Sequence, residues 1–156
     1  MTPAIMAAKR SNINYQLHEY QHDAQAQSYG LEAAEKLGLN PEQVFKTLVV
    51  NVDVKQLVVA IVPVATSLNL KLLAKALGAK KAQMAEPQAV SRSTGYVMGG
   101  VSPLGQKKLL TTVIDASAQQ FETIHVSAGK RGLEIELAPG DLASLTRAQF
   151  ADIQSP

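Results

Sequence analysis

Four groups of residues in this chain have types and spacings that could do chemistry. His18-Glu19-Tyr20-Gln21-His22 satisfies the H-E-x-x-H pattern, in which a helix brings two histidines onto one zinc ion and the glutamate activates water. Lys46 interrupts the apolar run Val44-Phe45-Lys46-Thr47-Leu48-Val49-Val50, where an ammonium is costly unless an anion or water meets it. The stretch Gly95-Tyr96-Val97-Met98-Gly99-Gly100-Val101-Ser102-Pro103-Leu104-Gly105 holds four of the ten glycines, enough to let backbone N–H groups approach a ligand closely or line an oxyanion hole. Three basic pairs, Lys80-Lys81, Lys107-Lys108 and Lys130-Arg131, each lie beside a loop and together could form a moderate phosphate footprint.

The elements that position these residues decide among the possibilities. Apolar and polar residues alternate from Ile13 to His18, the two-residue period of a half-buried strand that runs to about Tyr20. Four residues along a strand cover about 13 Å, whereas two imidazoles on one zinc ion each stand about 2.0 to 2.1 Å from it, so His18 and His22 are not expected to share a metal. Period two puts Lys46 on the face of Val44, Leu48 and Val50, where either an anion meets it or its long stem snorkels to water from the start of the strand. Gly100 to Lys107 resembles a phosphate loop, but Gln106 takes the lysine position and Lys107 the hydroxyl position, which argues against nucleotide hydrolysis. Ser102 has Leu104 where a nucleophile elbow needs glycine, and Ser127-Ala128-Gly129-Lys130 meets the S-x-x-K pattern at two positions only, so both read as loop. The glycine stretch itself reads equally as a ligand wall or as a tight connection needing positive φ.

Around these residues the pattern predicts short elements. A helix opens at Thr2-Pro3, and a second runs from Tyr29 to Leu37 with Gly38 as its stop. Val44 to Val50 and Leu57 to Val62 read as an antiparallel hairpin, Asn69 caps a helix ending at Gly78, and a shorter helix starts near Glu86-Pro87. Thr111 to Ile114, Thr123 to Val126 and Leu133 to Leu137 read as strands, and Pro139-Gly140-Asp141 opens a last helix toward Leu145. Six or seven strands mixed with short helices predict an α+β fold with a mixed sheet or barrel-like core, one domain over residues 1–156. With 46% hydrophobic residues, a formal charge of +2 and no cysteine, the composition excludes a disordered tail, a disulfide framework, a cysteine-ligated zinc site and a protein thiol nucleophile. The longest apolar run, Leu57 to Ala65, contains Pro63 and is about half the length of a membrane helix; with no basic leader, a cytoplasmic protein is expected.

Several of these segments together resemble the YbaK family: Val44-Phe45-Lys46-Thr47-Leu48-Val49, Ser93-Thr94-Gly95-Tyr96, Gly99 to Lys108, and Gly129-Lys130-Arg131-Gly132-Leu133-Glu134-Ile135-Glu136-Leu137, with Thr2-Pro3-Ala4 and His18 to Asp23 fitting too. The resemblance covers essentially the whole chain. These proteins are free-standing relatives of the editing insertion domain of bacterial prolyl-tRNA synthetase, and the likeness implies removal of cysteine mischarged onto proline tRNA, with Cys-tRNA(Cys) as a further substrate. It implies that Lys46 lines the pocket and contacts the tRNA 3′ end or the ester, with Gly99 and Gly100 as the loop of the reacting site. Val101, Ser102 and Pro103 then continue the wall, Tyr20 and Tyr29 line the pocket, and Ser127, Ala128 and Gly129 form the adjacent loop. Lys107, Lys108, Lys130 and Arg131 are the RNA-contact candidates. No cofactor and no metal are expected, because a substrate cysteine carries its own nucleophile. With a charge of only +2, tRNA binding is expected to be weak, so prolyl-tRNA synthetase is the expected, weakly bound partner that selects the tRNA. Tyr29 and Ala128 stand where the family often has Phe and Gly, so editing of another small amino acid is the nearest alternative. A non-catalytic module holding tRNA or a synthetase is the other.

Overall fold

The computed structural model describes residues 1–26 and 28–155. In chain order the elements are α1 (Pro3–Arg10), β1 (Tyr15–Glu19), α2 (Tyr29–Leu37), β2 (Phe45–Val52), β3 (Gln56–Pro63), β4 (Ser67–Leu68), α3 (Leu70–Ala76), β5 (Ala82–Met84), α4 (Pro87–Thr94), β6 (Thr111–Asp115), a 3₁₀ turn (Ala116–Gln120), β7 (Ile124–Lys130), β8 (Leu133–Leu137), α5 (Pro139–Thr146), β9 (Gln149–Ala151) and β10 (Gln154–Ser155). The near-continuous Val, Ile and Leu of β2 and β3 mark strands covered on both faces rather than one. Phe45, Val49, Val59 and Ile61 join Ile135, Leu137 and Val126 in one core, with Ala4, Ile5 and Ala8 of α1 sealing it. Val50, Val58, Ala60 and Val62 face the other way, onto Leu73 of α3 and Ile153.

The hairpin β2–β3 sits at the middle of a five-stranded mixed sheet of order β5-β2-β3-β6-β9, in which β3–β6 and β6–β9 are parallel pairs and the others antiparallel. A second, antiparallel sheet runs β1-β8-β7. The two meet just ahead of β2: Val44 bridges His125 in parallel, the His125 amide donates to the Gln43 carbonyl (3.1 Å), and Gln43 Nε2 donates to the Thr123 carbonyl (2.7 Å). The start of β2, where Lys46 stands, is thereby clamped to β7.

Local chemistry sets the helix ends. Thr2 Oγ1 accepts the Ile5 amide (3.2 Å) and donates to the Ala128 carbonyl (2.5 Å), so one hydroxyl both caps α1 and ties it to β7. Asn69 Oδ1 caps α3 through the Leu72 amide (3.0 Å), and Gly38 ends α2 at φ 67°. Buried Asp115 accepts the amides of Ser117 and Ile153 and the side-chain amide of Gln154, holding the C-terminal segment against the main sheet.

The expected α+β class stands, but the strand inventory is larger than the sequence pattern indicates. β4, β5, β9 and β10, two or three residues each, are defined by partners distant in sequence and carry no periodicity of their own. Among the described residues no helix is long and apolar enough to cross a membrane. The β2–β3 turn places Asp53 (φ 52°) and Val54 (φ 60°) in the left-handed region, with the Asp53 carboxylate accepting the amides of Lys80 and Lys81. Exposed Val54 gains nothing by packing to offset that strain. Val54→Gly is therefore expected to stabilise the protein by about 0.5 to 1 kcal/mol, read as a higher urea midpoint with an unchanged slope.

Candidate functional site

Strand alternation builds the floor of a cavity of about 220 Å³. In β8, Leu133, Ile135 and Leu137 enter the core, which turns Glu134 and Glu136 to the opposite face. Ser127 of β7 stands directly opposite Glu134. The ladder then slips between Ser127 and Lys130, and Ser127 Oγ accepts the Gly129 amide (3.1 Å) inside this bulge, with Gly129 at φ +109°. Both Ser127 and Glu134 line the cavity.

The walls come from α2, β2 and the glycine stretch. Tyr29 opens α2, and its ring packs so closely on Gly99 that a Cβ there would stand 2.9 Å from Tyr29 Cε2, at a φ of +92° that also favours glycine. The Arg131 guanidinium lies over the Tyr29 ring, 4.0 Å from its centroid. The same guanidinium donates to the Asp23 carbonyl (2.6 Å) and stands 3.6 Å from Glu32, whose carboxylate also accepts the Asp23 amide and pairs with Lys36. Burial works to raise the Glu32 pKa, but the Asp23 amide, Lys36 and Arg131 outweigh it and hold the carboxyl below its ordinary value.

Lys46, half-buried in β2, lines the cavity and donates from Nζ to the Thr66 carbonyl (2.9 Å). Among the described residues no carboxylate pairs with it. The Thr66 carbonyl takes one of the three ammonium donors, and among the described residues the other two have no hydrogen-bond partner. Desolvation lowers its pKa. Next to it Thr47 Oγ1 is buried without a partner.

Glu134 is the unusual group. Only 6% of it is exposed, and burial, with no charge or hydrogen bond among the described residues to offset it, pushes its pKa up to about 8. Half-buried Tyr20, also in the wall, is raised chiefly by burial.

Of the residues singled out from sequence, Tyr20, Tyr29, Lys46, Gly99, Val101, Ser127, Lys130 and Arg131 line this cavity. Gly100 lies behind it: a Cβ there would stand 2.9 Å from Lys130 Cα, and its amide is used on the Val97 carbonyl (3.0 Å). Ser102 is fully buried with its Oγ accepting the Leu104 amide, and Gln106 donates to the Ser102 carbonyl, so this segment is held by its own bonds rather than open to phosphate. Pro103 and Lys108 border a separate concavity with Arg10 and Ser11, and Lys107 is exposed away from the cavity. Ala128 is buried with its carbonyl on Thr2, and Gly129 packs against Tyr96 and Thr2. Arg131 is committed to the Asp23 segment and Tyr29, which leaves Lys130 as the exposed cation at the mouth. Sequence reasoning missed Glu134 and Thr47. Glu134 sits in the polar register of Leu133-Glu134-Ile135-Glu136-Leu137, which reads as a solvent face, whereas in the fold it is buried in the lining of the cavity.

Because Glu134 keeps its proton to about pH 8 when folded while an unfolded glutamate loses it near 4.5, its contribution to stability is complete below pH 4.5 and is lost as pH rises to about 8. Glu134→Gln is expected to remove that slope, about 1.4 kcal/mol per pH unit at most, in urea unfolding compared between pH 5 and 8.

Residues 24–145 match the family model for the aminoacyl-tRNA editing domain. A protein of Enterococcus faecalis named "Putative Cys-tRNA(Pro)/Cys-tRNA(Cys) deacylase EbsC" is 41% identical over 152 residues, 97% of this chain and 92% of that one. "Uncharacterized protein YwhH" of Bacillus subtilis is 28% identical over 115 residues, 74% of this chain and 73% of its own. In fold, the chain superposes on a crystal structure described as "a putative trans-editing enzyme for prolyl tRNA synthetase" with a TM-score of 0.85 at 23% identity, covering 100% of this chain and 99% of that one. It superposes equally on that of hypothetical protein APE2540, with a TM-score of 0.87 at 23% identity over 99% and 100% of the two chains. Family model, relatives and fold agree with the likeness drawn from the sequence, and the chain belongs to the YbaK family of aminoacyl-tRNA editing domains.

Proposed function

We propose that this chain, as one editing unit over residues 1–156, removes cysteine from mischarged proline tRNA, with Cys-tRNA(Cys) as a second substrate, and that the substrate's own thiol cuts the ester. The observation that carries this reading is the lining of the cavity. It offers a cation, a buried carboxyl and hydroxyls, while no histidine lines it and the chain has no cysteine. Ser127 Oγ, the hydroxyl opposite Glu134, has no lining imidazole to take its proton. A ligand that brings a good nucleophile with it fits such a site, and EbsC, 41% identical, is named for Cys-tRNA.

In this mechanism the aminoacyl group enters between Tyr29, Gly99 and β2. Its α-ammonium pairs with the carboxylate of Glu134, whose proton passes to solvent as the cation arrives. The substrate thiol, of ordinary pKa about 8.5, gives its proton to solvent, and the thiolate attacks the ester carbonyl carbon a few bonds away, forming the C–S bond. Lys46, with its two free N–H donors, and the amides of Gly99 and Val101 stabilise the oxyanion; Gly100, whose amide is already used, does not. The carbonyl re-forms as the C–O bond to the ribose breaks, the ribose oxygen takes a proton, and the cyclic thiolactone leaves to be opened by water. Holding the thiol and ester in one conformer is the main contribution of the cavity walls.

The tRNA body meets a modest field, with Lys130 at the mouth and Lys107 and Lys108 farther out. Selection of proline tRNA therefore falls to a loosely held prolyl-tRNA synthetase, in the cytoplasm where charged tRNA is made.

Deacylation of tRNA charged with cysteine, serine or alanine tests the reading. Cysteine release is expected to exceed serine and alanine release by about 100-fold or more, and Lys46→Ala to lower it about 100-fold with an unchanged unfolding transition. Equal release of serine and cysteine would remove the thiol from the mechanism, and full activity in Lys46→Ala would remove the lysine.

A further inference from the structure

We propose that His18, His125 and Glu136 form a binding site for a late first-row divalent cation, Zn2+ in the first instance. These three side chains lie outside the editing cavity and outside the mechanism above. They come from three neighbouring strands, β1, β7 and β8. Register pairs Glu136 with Gln16 on one side and His125 on the other, and pairs His18 with Glu134 two residues along, so His18, His125 and Glu136 share one sheet face. One donor atom from each lies within 4.8 Å of the others, and His18 Nε2 stands 2.9 Å from Glu136 Oε1. Donors on a tetrahedral zinc are about 3.3 Å apart, so small side-chain rotations close the set.

Two further observations separate this cluster from an ordinary surface ion pair. His125 is only 2% exposed, yet its Nδ1 has no hydrogen-bond partner, and the ring sits 5.2 Å, centroid to centroid, from that of His18. Buried ring nitrogens are normally satisfied, so an unpartnered one beside a carboxylate and a second imidazole is a donor open to a cation. The carboxylate is also oriented from behind: Thr123 Oγ1 donates to Glu136 Oε2 (2.5 Å), leaving Oε1 for the cluster. The His18 and Glu136 side chains are 29% and 23% exposed, which gives an ion a way in and leaves room for a water as fourth ligand.

Two imidazoles and one carboxylate select zinc, cobalt or nickel over magnesium and calcium, which prefer all-oxygen sets. The ion would staple the edge strand β1 across β8 to β7. The H-E-x-x-H motif thus supplies one ligand, His18, while His22 lies beyond the end of β1 and takes no part.

Isothermal titration of the tag-free chain with zinc chloride near pH 7.5 tests the proposal, with melting temperature as a second readout. One equivalent is expected to bind with a Kd of about 1 μM or tighter and to raise the melting temperature, while magnesium does neither. His18→Ala and Glu136→Gln, both at partly exposed positions, are each expected to weaken zinc at least about tenfold, and His22→Ala to leave it unchanged. Cobalt bound at the same stoichiometry should show the visible absorption of a four-coordinate site. No saturable binding up to about 100 μM zinc overturns the proposal, as does binding that survives both His18→Ala and Glu136→Gln or is lost in His22→Ala.

Discussion

A carboxyl that the protein buries without giving it a partner is the constraint on which the site turns. Glu134 reaches that position because Leu133, Ile135 and Leu137 must enter the core, and β-strand geometry then leaves residue 134 no other face. In an open sheet such a glutamate would be solvated. Here Glu134 lines one cavity with Ser127 of β7, Tyr29 and Gly99, and desolvation holds the proton on. A fold tolerates that cost where a ligand supplies the missing charge, which is why perturbed carboxyls concentrate at functional sites. The α-ammonium of an aminoacyl ester is a cation of the right kind, and it arrives with the reacting bond attached.

The glycine stretch works by close approach more than by flexibility. Gly99 makes room for the Tyr29 ring, Gly100 for the backbone at Lys130, and Tyr96 Oη, buried and pushed up to about 12, anchors the segment on the Leu104 carbonyl (2.6 Å). The Thr2 hydroxyl and the Val44–His125 bridge hold β7 from two sides, so the cavity wall is mounted on packed elements. Precision of this kind suits a mechanism in which the enzyme positions a nucleophile it does not own.

Much of this was legible in the amino-acid sequence because the relevant signals are local. Tyr29–Leu37 is bounded by its own glycine stop, Leu133–Leu137 by its alternation, and Lys46 stands out in an apolar run. What was hidden depends on chain segments far apart in sequence. Glu134 reads as solvent-facing until the fold buries it in the cavity lining, Arg131 reads as a free cation until Asp23, Glu32 and Tyr29 claim it, and Ser102 reads as site wall until its hydroxyl turns inward. β1 ends at Glu19, short of His22, and its pairing brings His18 toward Glu136 and His125, a meeting that only the register of three strands reveals.

In the proposed reaction the sulfur of the substrate, and no group of the protein, attacks the ester. Proline tRNA charged with S-methylcysteine tests it most directly, since the blocked sulfur keeps the side chain but loses the nucleophile. This ester is expected to survive incubation with the protein while competing with Cys-tRNA(Pro) for the site. Release of S-methylcysteine at the rate of cysteine would contradict it.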